Sequence, residues 1–113
     1  MITSSKWPES FEKKMNTMFH EVVGRPDELK IVDVQYSKDG LWPVNPERRT
    51  YFHEYKCKVI FEVVRTGTKS FIFLPKEDPW AIDYEDLYEA CKRLAEMLIL
   101  NEPELKKHWN LIR

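Results

Sequence analysis

Glycine is scarce in this chain of 113 residues, with Gly24, Gly40 and Gly67 the full set. So few glycines leave no glycine-rich loop able to cradle a phosphate group. Cysteine is scarcer still. Cys57 and Cys91 stand far apart, with neither C-x-x-C spacing nor a His pair arranged to complete a zinc site. They read as two buried free thiols of a reducing cytoplasm, and no structural metal or cofactor is expected. An excess of one charge is also missing: Lys and Arg number 18 against 19 Asp and Glu. No global field draws the protein onto nucleic acid or an anionic membrane, so any such binding must come from a local patch. Long apolar runs are absent as well. No segment approaches the ~18 consecutive apolar residues of a membrane span, and Met1–Pro8 carries no apolar h-region. Neither insertion nor secretion by a signal peptide is expected, and a cytoplasmic location is.

What is present suffices for a fold. With 42% hydrophobic and 33% charged residues, and aromatics spread along the length, the chain lies well away from the disordered regime. Its length suits one domain, residues 1–113, that can build a core without disulfide or metal staples.

Hydrophobic spacing then assigns the elements. Phe11, Met15, Met18, Phe19, Val22 and Val23 recur at steps of three and four, the stripe of an amphipathic helix between Pro8 and Gly24. Pro8 suits a first turn, while Gly24 and Pro26 mark a stop. Leu29–Tyr36 reads as a strand with Val32, Val34 and Tyr36 on one face, ended by Lys38-Asp39-Gly40. Tyr51–Val64 alternates almost without a break. Tyr51, His53, Tyr55, Cys57, Val59, Phe61 and Val63 form its core face, and the opposite face is mostly solvated. Thr66-Gly67-Thr68 turns the chain into Lys69–Leu74, predicting a hairpin. After a crossing from Lys76 to Ile82, Asp83 caps a second helix with the seam Leu87, Cys91, Leu94 and Leu98. Asn101-Glu102-Pro103 breaks it, and a short last helix carries Leu105 and Trp109, with Leu111-Ile112 trailing onto the body.

The expected architecture is therefore α+β: an N-terminal helix, a three-stranded antiparallel sheet, a C-terminal helix and a short terminal helix, with the helices on one face of the sheet. Double-stranded-RNA-binding domains share this order of elements. Where they are basic, however, this chain reads Asp83-Tyr84-Glu85-Asp86, the wrong sign for phosphate, so no membership follows.

Three constellations can carry recognition or chemistry. The first is the aperiodic loop 38–49 with Trp42, Arg48 and Arg49, an aromatic–arginine pairing suited to protein hot spots or to stacking on single-stranded nucleic acid. Its structural reading is a Trp tucked over a core edge with two solvated arginines. The second is an acidic, aromatic run of Glu77, Asp78, Asp83, Glu85, Asp86 and Glu89 interleaved with Trp80, Tyr84 and Tyr88, able to dock a basic partner. Against it, carboxylates in a first helical turn are already stabilised by the helix dipole. The third is Glu54-x-Lys56, similar to the E-x-K of PD-(D/E)xK metal-dependent nucleases, with Asp33 or Asp39 as a second ligand. Here the expected Pro-Asp pair is missing, and cross-strand charge pairing explains the residues more simply. His20, His53 and His108 have no spaced ligand set.

The expectation is a small non-catalytic protein that binds another protein as regulator or inhibitor, using Trp42, Arg48, Arg49, Trp80, Asp83, Tyr84 and Asp86. A nucleic-acid module on Trp42, Arg48 and Arg49 and a nuclease on Glu54 and Lys56 are the alternatives. Self-association stays open.

Overall fold

The structure, a computed structural model, describes residues 2–37, 42–45, 50–52, 57–74 and 82–110, with the backbone alone at 2, 42–45 and 50–52. The elements are β1 (Ile2–Ser5), α1 (Glu9–Val23), β2 (Leu29–Ser37), β3 (Trp42–Asn45), β4 (Thr50–Phe52), β5 (Cys57–Val63), β6 (Lys69–Leu74) and α2 (Tyr84–Asn101), followed by a 3₁₀ helix at Pro103–Lys107. The α+β class holds. Among the described residues the main sheet has four antiparallel strands, in the order β1-β2-β5-β6, and β3 pairs with β4 apart from it.

Both helices follow their sequence stripes. All six apolar positions of the α1 stripe are buried, and α1 ends where Gly24 takes a left-handed φ of 73° and returns its N–H to the His20 carbonyl at 2.9 Å. A Cβ at Gly24 would meet the Asn110 carbonyl oxygen at 3.0 Å, so the position needs glycine for its conformation and for its close neighbour. At the start of α2 the Asp83 carboxylate accepts the Asp86 N–H at 2.9 Å, and Leu87, Ala90, Cys91, Leu94, Ala95 and Leu98 are buried.

Three expectations about the strands need correction. Ile2–Ser5 is a strand that the sequence reading missed, because Thr3, Ser4 and Ser5 are exposed and carry no apolar alternation; its position is set by backbone pairing with Val34–Ser37. The long strand expected from Tyr51 to Val64 is described at its two ends, which belong to different sheets. Its beginning belongs to β4, paired with Trp42–Asn45 inside the segment expected to be a loop, and its end forms β5. Tyr55 and His53 lie outside the described residues. In β2 the register shifts between Ile31 and Asp33. Ile31 and Val34 are consequently both buried while Val32 is 40% exposed, so Val32 does not share a face with Val34.

The predicted hairpin forms. Gly67, at φ 72°, donates to the Val63 carbonyl at 2.8 Å and aligns Cys57 opposite Leu74. Cys57, Val59, Phe61 and Val63 are fully buried and join Phe11, Met15, Phe19, Leu87, Cys91 and Leu94 in one cluster. Both helices pack on that face, α1 against β2 and α2 against β6. The opposite face holds Lys58, Ile60, Glu62, Phe71 and Phe73, all half-buried. There the Lys58 ammonium sits 4.1 Å from the Phe71 ring centre, and Phe71 meets Phe73 edge to face at 5.4 Å.

Two polar devices hold the layers in place. Since β1 covers only the second half of β2, the backbone at Leu29–Ile31 faces α1. The Asn16 amide takes the place of a strand there, donating to the Leu29 carbonyl at 2.9 Å and accepting its N–H at 2.8 Å, while Glu12 accepts the Ile31 N–H at 2.9 Å. The second device centres on Asp27, which is 5% exposed. Its carboxylate accepts from Arg65 Nη2 and from Trp109 Nε1, each at 2.8 Å, joining the α1–β2 connection, the hairpin turn and the C-terminal segment. Trp109 also meets Phe19 edge to face at 5.3 Å.

Candidate partner-binding groove

The helical period that puts Met15 and Phe19 into the core leaves Lys14, Thr17 and Glu21 on a flank of α1, at steps of three and four beside Met18. This flank faces the beginning of α2, which contributes Tyr84 and Leu87 and is preceded by Ile82 and the capping Asp83. Together they line a groove of about 580 Å³. Its floor is apolar: Met18 and Ile82 are each 4% exposed and Leu87 is 2%.

Two hydrogen bonds cross the groove. Lys14 Nζ donates to the Ile82 carbonyl at 2.7 Å, fixing the residue before the cap. At the rim, Tyr84 Oη donates to Glu21 Oε1 at 3.2 Å. The Glu21 charge, and then that hydrogen bond, raise the Tyr84 phenol above its ordinary pKa. Tyr84 is 60% exposed and stacks on Tyr88, with ring centres 6.4 Å apart and planes 16° from parallel. Glu21, Asp83, Glu85 and Asp86 are exposed, and among the described residues none of them is in a salt bridge. Lys92 lies 3.9 Å from Glu89.

The sequence-predicted residues divide accordingly. Asp83 and Tyr84 line the groove, and Asp86 lies beside it in the first turn of α2, where its N–H completes the cap. Trp80, Glu77 and Asp78 lie outside the described residues, as do Arg48, Arg49, Glu54, Lys56 and Asp39. Trp42 is placed by its backbone alone, as the first residue of β3 opposite Phe52. Asp33, weighed as a metal ligand, instead accepts hydrogen bonds from Ser4 at 2.9 Å and Gln35 at 3.0 Å. Among the described residues no three His, Cys, Asp or Glu side chains converge on a shared point.

Cys57 and Cys91 are both fully buried. Burial pushes each thiol up to about 12, which withholds the nucleophilic thiolate at neutral pH. Sequence reasoning missed the contribution of α1 to the groove. Lys14, Thr17 and Glu21 carry the right spacing, but a polar helix flank looks the same whether it faces water or a second helix.

No helix among the described residues is long and apolar enough to cross a membrane. Comparison of the chain with family models, with curated proteins and with solved structures finds no match in any of the three.

Proposed function

We propose that this is a small non-catalytic protein that acts by binding another protein, as regulator or inhibitor, through the groove between α1 and the start of α2. The observation that carries the reading is the pairing of an apolar floor with a carboxylate rim: Met18, Ile82 and Leu87 lie under Glu21 and Asp83, with Asp86 exposed in the turn that follows. Apolar area supplies affinity, and the rim selects a partner of positive charge. The occupant is accordingly a basic segment of a second protein. The two free, buried cysteines fit a reducing compartment, and we place the protein in the cytoplasm.

Affinity capture from the native host with three baits tests this: wild type, Thr17→Arg/Asp86→Lys, and Trp42→Ala/Arg48→Glu. The expected result is one protein partner held by wild type, lost by the groove variant and kept by the other. A partner lost only with Trp42 and Arg48 moves the function to the 38–49 segment. Recovery of nucleic acid alone, falling steeply with salt and absent in the Arg48 variant, replaces protein binding altogether.

A further inference from the structure

Building on the groove as a partner-binding surface, we infer that its occupant presents an arginine, whose guanidinium takes the Glu21 carboxylate from Tyr84. The argument begins with the charges at the rim. Among the described residues Lys14 is the one cation lining the groove, and its ammonium is committed to the Ile82 carbonyl at 2.7 Å. Among the described residues Glu21 meets the neutral Tyr84 hydroxyl alone, at 3.2 Å, a bond longer than the usual range for O–H donors. A guanidinium replaces that single bond from a neutral donor with a two-pronged ion pair, and the exchange favours the cation.

The shape of the groove selects arginine over lysine. Releasing Glu21 leaves the Tyr84 ring as a wall, already backed by Tyr88 at 6.4 Å, above a floor of Met18, Ile82 and Leu87. A guanidinium is planar and weakly hydrated, so it stacks on a tyrosine face and lies over apolar side chains while its edge reaches a carboxylate. An ammonium keeps its water and has no plane to stack. Asp83, beside Tyr84 on the rim, adds a second negative charge. The Tyr84–Glu21 hydrogen bond thus closes the groove at rest and opens when the correct side chain arrives.

The probe is the capped peptide acetyl-Leu-Arg-Leu-amide, titrated into the full chain by amide NMR beside analogues with lysine or citrulline at the centre. The expected result is saturable shifts at Thr17, Glu21, Tyr84 and Leu87 with the arginine peptide, weaker binding with lysine and none with citrulline. Glu21→Gln weakens the arginine peptide about tenfold, the size of one charge-assisted hydrogen bond. Tyr84→Phe, which keeps the ring and releases Glu21, tightens it. Unchanged spectra away from the groove show that each variant is folded. Equal binding of the citrulline peptide, indifference to Glu21→Gln, shifts centred elsewhere, or no shift at the solubility limit of the arginine peptide each overturn the inference. The groove itself is judged separately. A captured protein partner lost with Thr17→Arg/Asp86→Lys but unaffected by Glu21→Gln keeps the groove and removes the arginine.

Discussion

Individual side chains carry two opposite pH dependences. Burial raises Cys57 and Cys91 from an ordinary 9.0 to about 12. The folded state therefore keeps protons that the unfolded chain releases, and the stabilisation is complete below pH 9 and lost as pH rises through 9 towards 12. Urea midpoints across that range should fall more steeply for wild type than for Cys57→Ala/Cys91→Ala; parallel slopes would place the thiols in a more polar setting. Asp27 behaves in the reverse sense. Burial pushes its carboxyl up, but hydrogen bonds from Arg65 and Trp109 and the charges of Arg65 and Arg25 outweigh burial, so its pKa lies below the ordinary 3.8. Its contribution is present above 3.8 and is lost as pH falls through the lower folded value. Asp27→Asn should cost about 1–3 kcal/mol at neutral pH, with the deficit shrinking in acid; a deficit independent of pH would show that packing of Trp109, not the charge, is what matters.

For the elements, the junction of α1 with β2 shows why helices are easier to read than strand edges. The α1 stripe is a consequence of its own period, so six apolar residues announce one buried face. Asn16 lies on the other side of that helix and looks like ordinary polar surface, yet it closes the backbone of Leu29 in both directions. Asn16→Ala leaves a part-buried N–H and C=O without these partners and should cost about 1–3 kcal/mol. Hydrogen exchange at the Leu29 amide should accelerate while β5 stays protected. Exchange unchanged at Leu29 would mean that solvent already serves that edge. The bulge at Val32 was hidden for a related reason. Three β-branched residues within four positions, Ile31, Val32 and, past Asp33, Val34, fit either alternation, and the partner strand chooses between them.

Across the whole molecule, the two helices and the three longer strands close around Phe61, fully buried in the face that both helices cover. Phe61→Ala removes the largest β5 side chain from that cluster and should cost about 3–5 kcal/mol, enough to unfold a marginal domain. A urea midpoint unchanged by the substitution would contradict the packing of β5 against α1 and α2.

Periodicity and punctuation determined α1, β2, the β5–β6 hairpin and α2, because each buries one face and that burial imprints a spacing on the chain. The Gly24 stop and the Asp83 cap were legible for the same kind of local reason: a left-handed φ and an orphaned N–H make demands on single residues. Tertiary structure decided the rest. The strand β1 has no apolar face, Trp42–Asn45 pairs outside the main sheet, Asp27 gathers Arg65 from the hairpin turn and Trp109 from the C-terminal segment, and α1 lends Glu21 to the groove of α2. Each of these depends on backbone hydrogen bonds or on polar side chains meeting across long sequence separations. Such contacts satisfy groups that every residue possesses, and they leave no period in the sequence by which to find them.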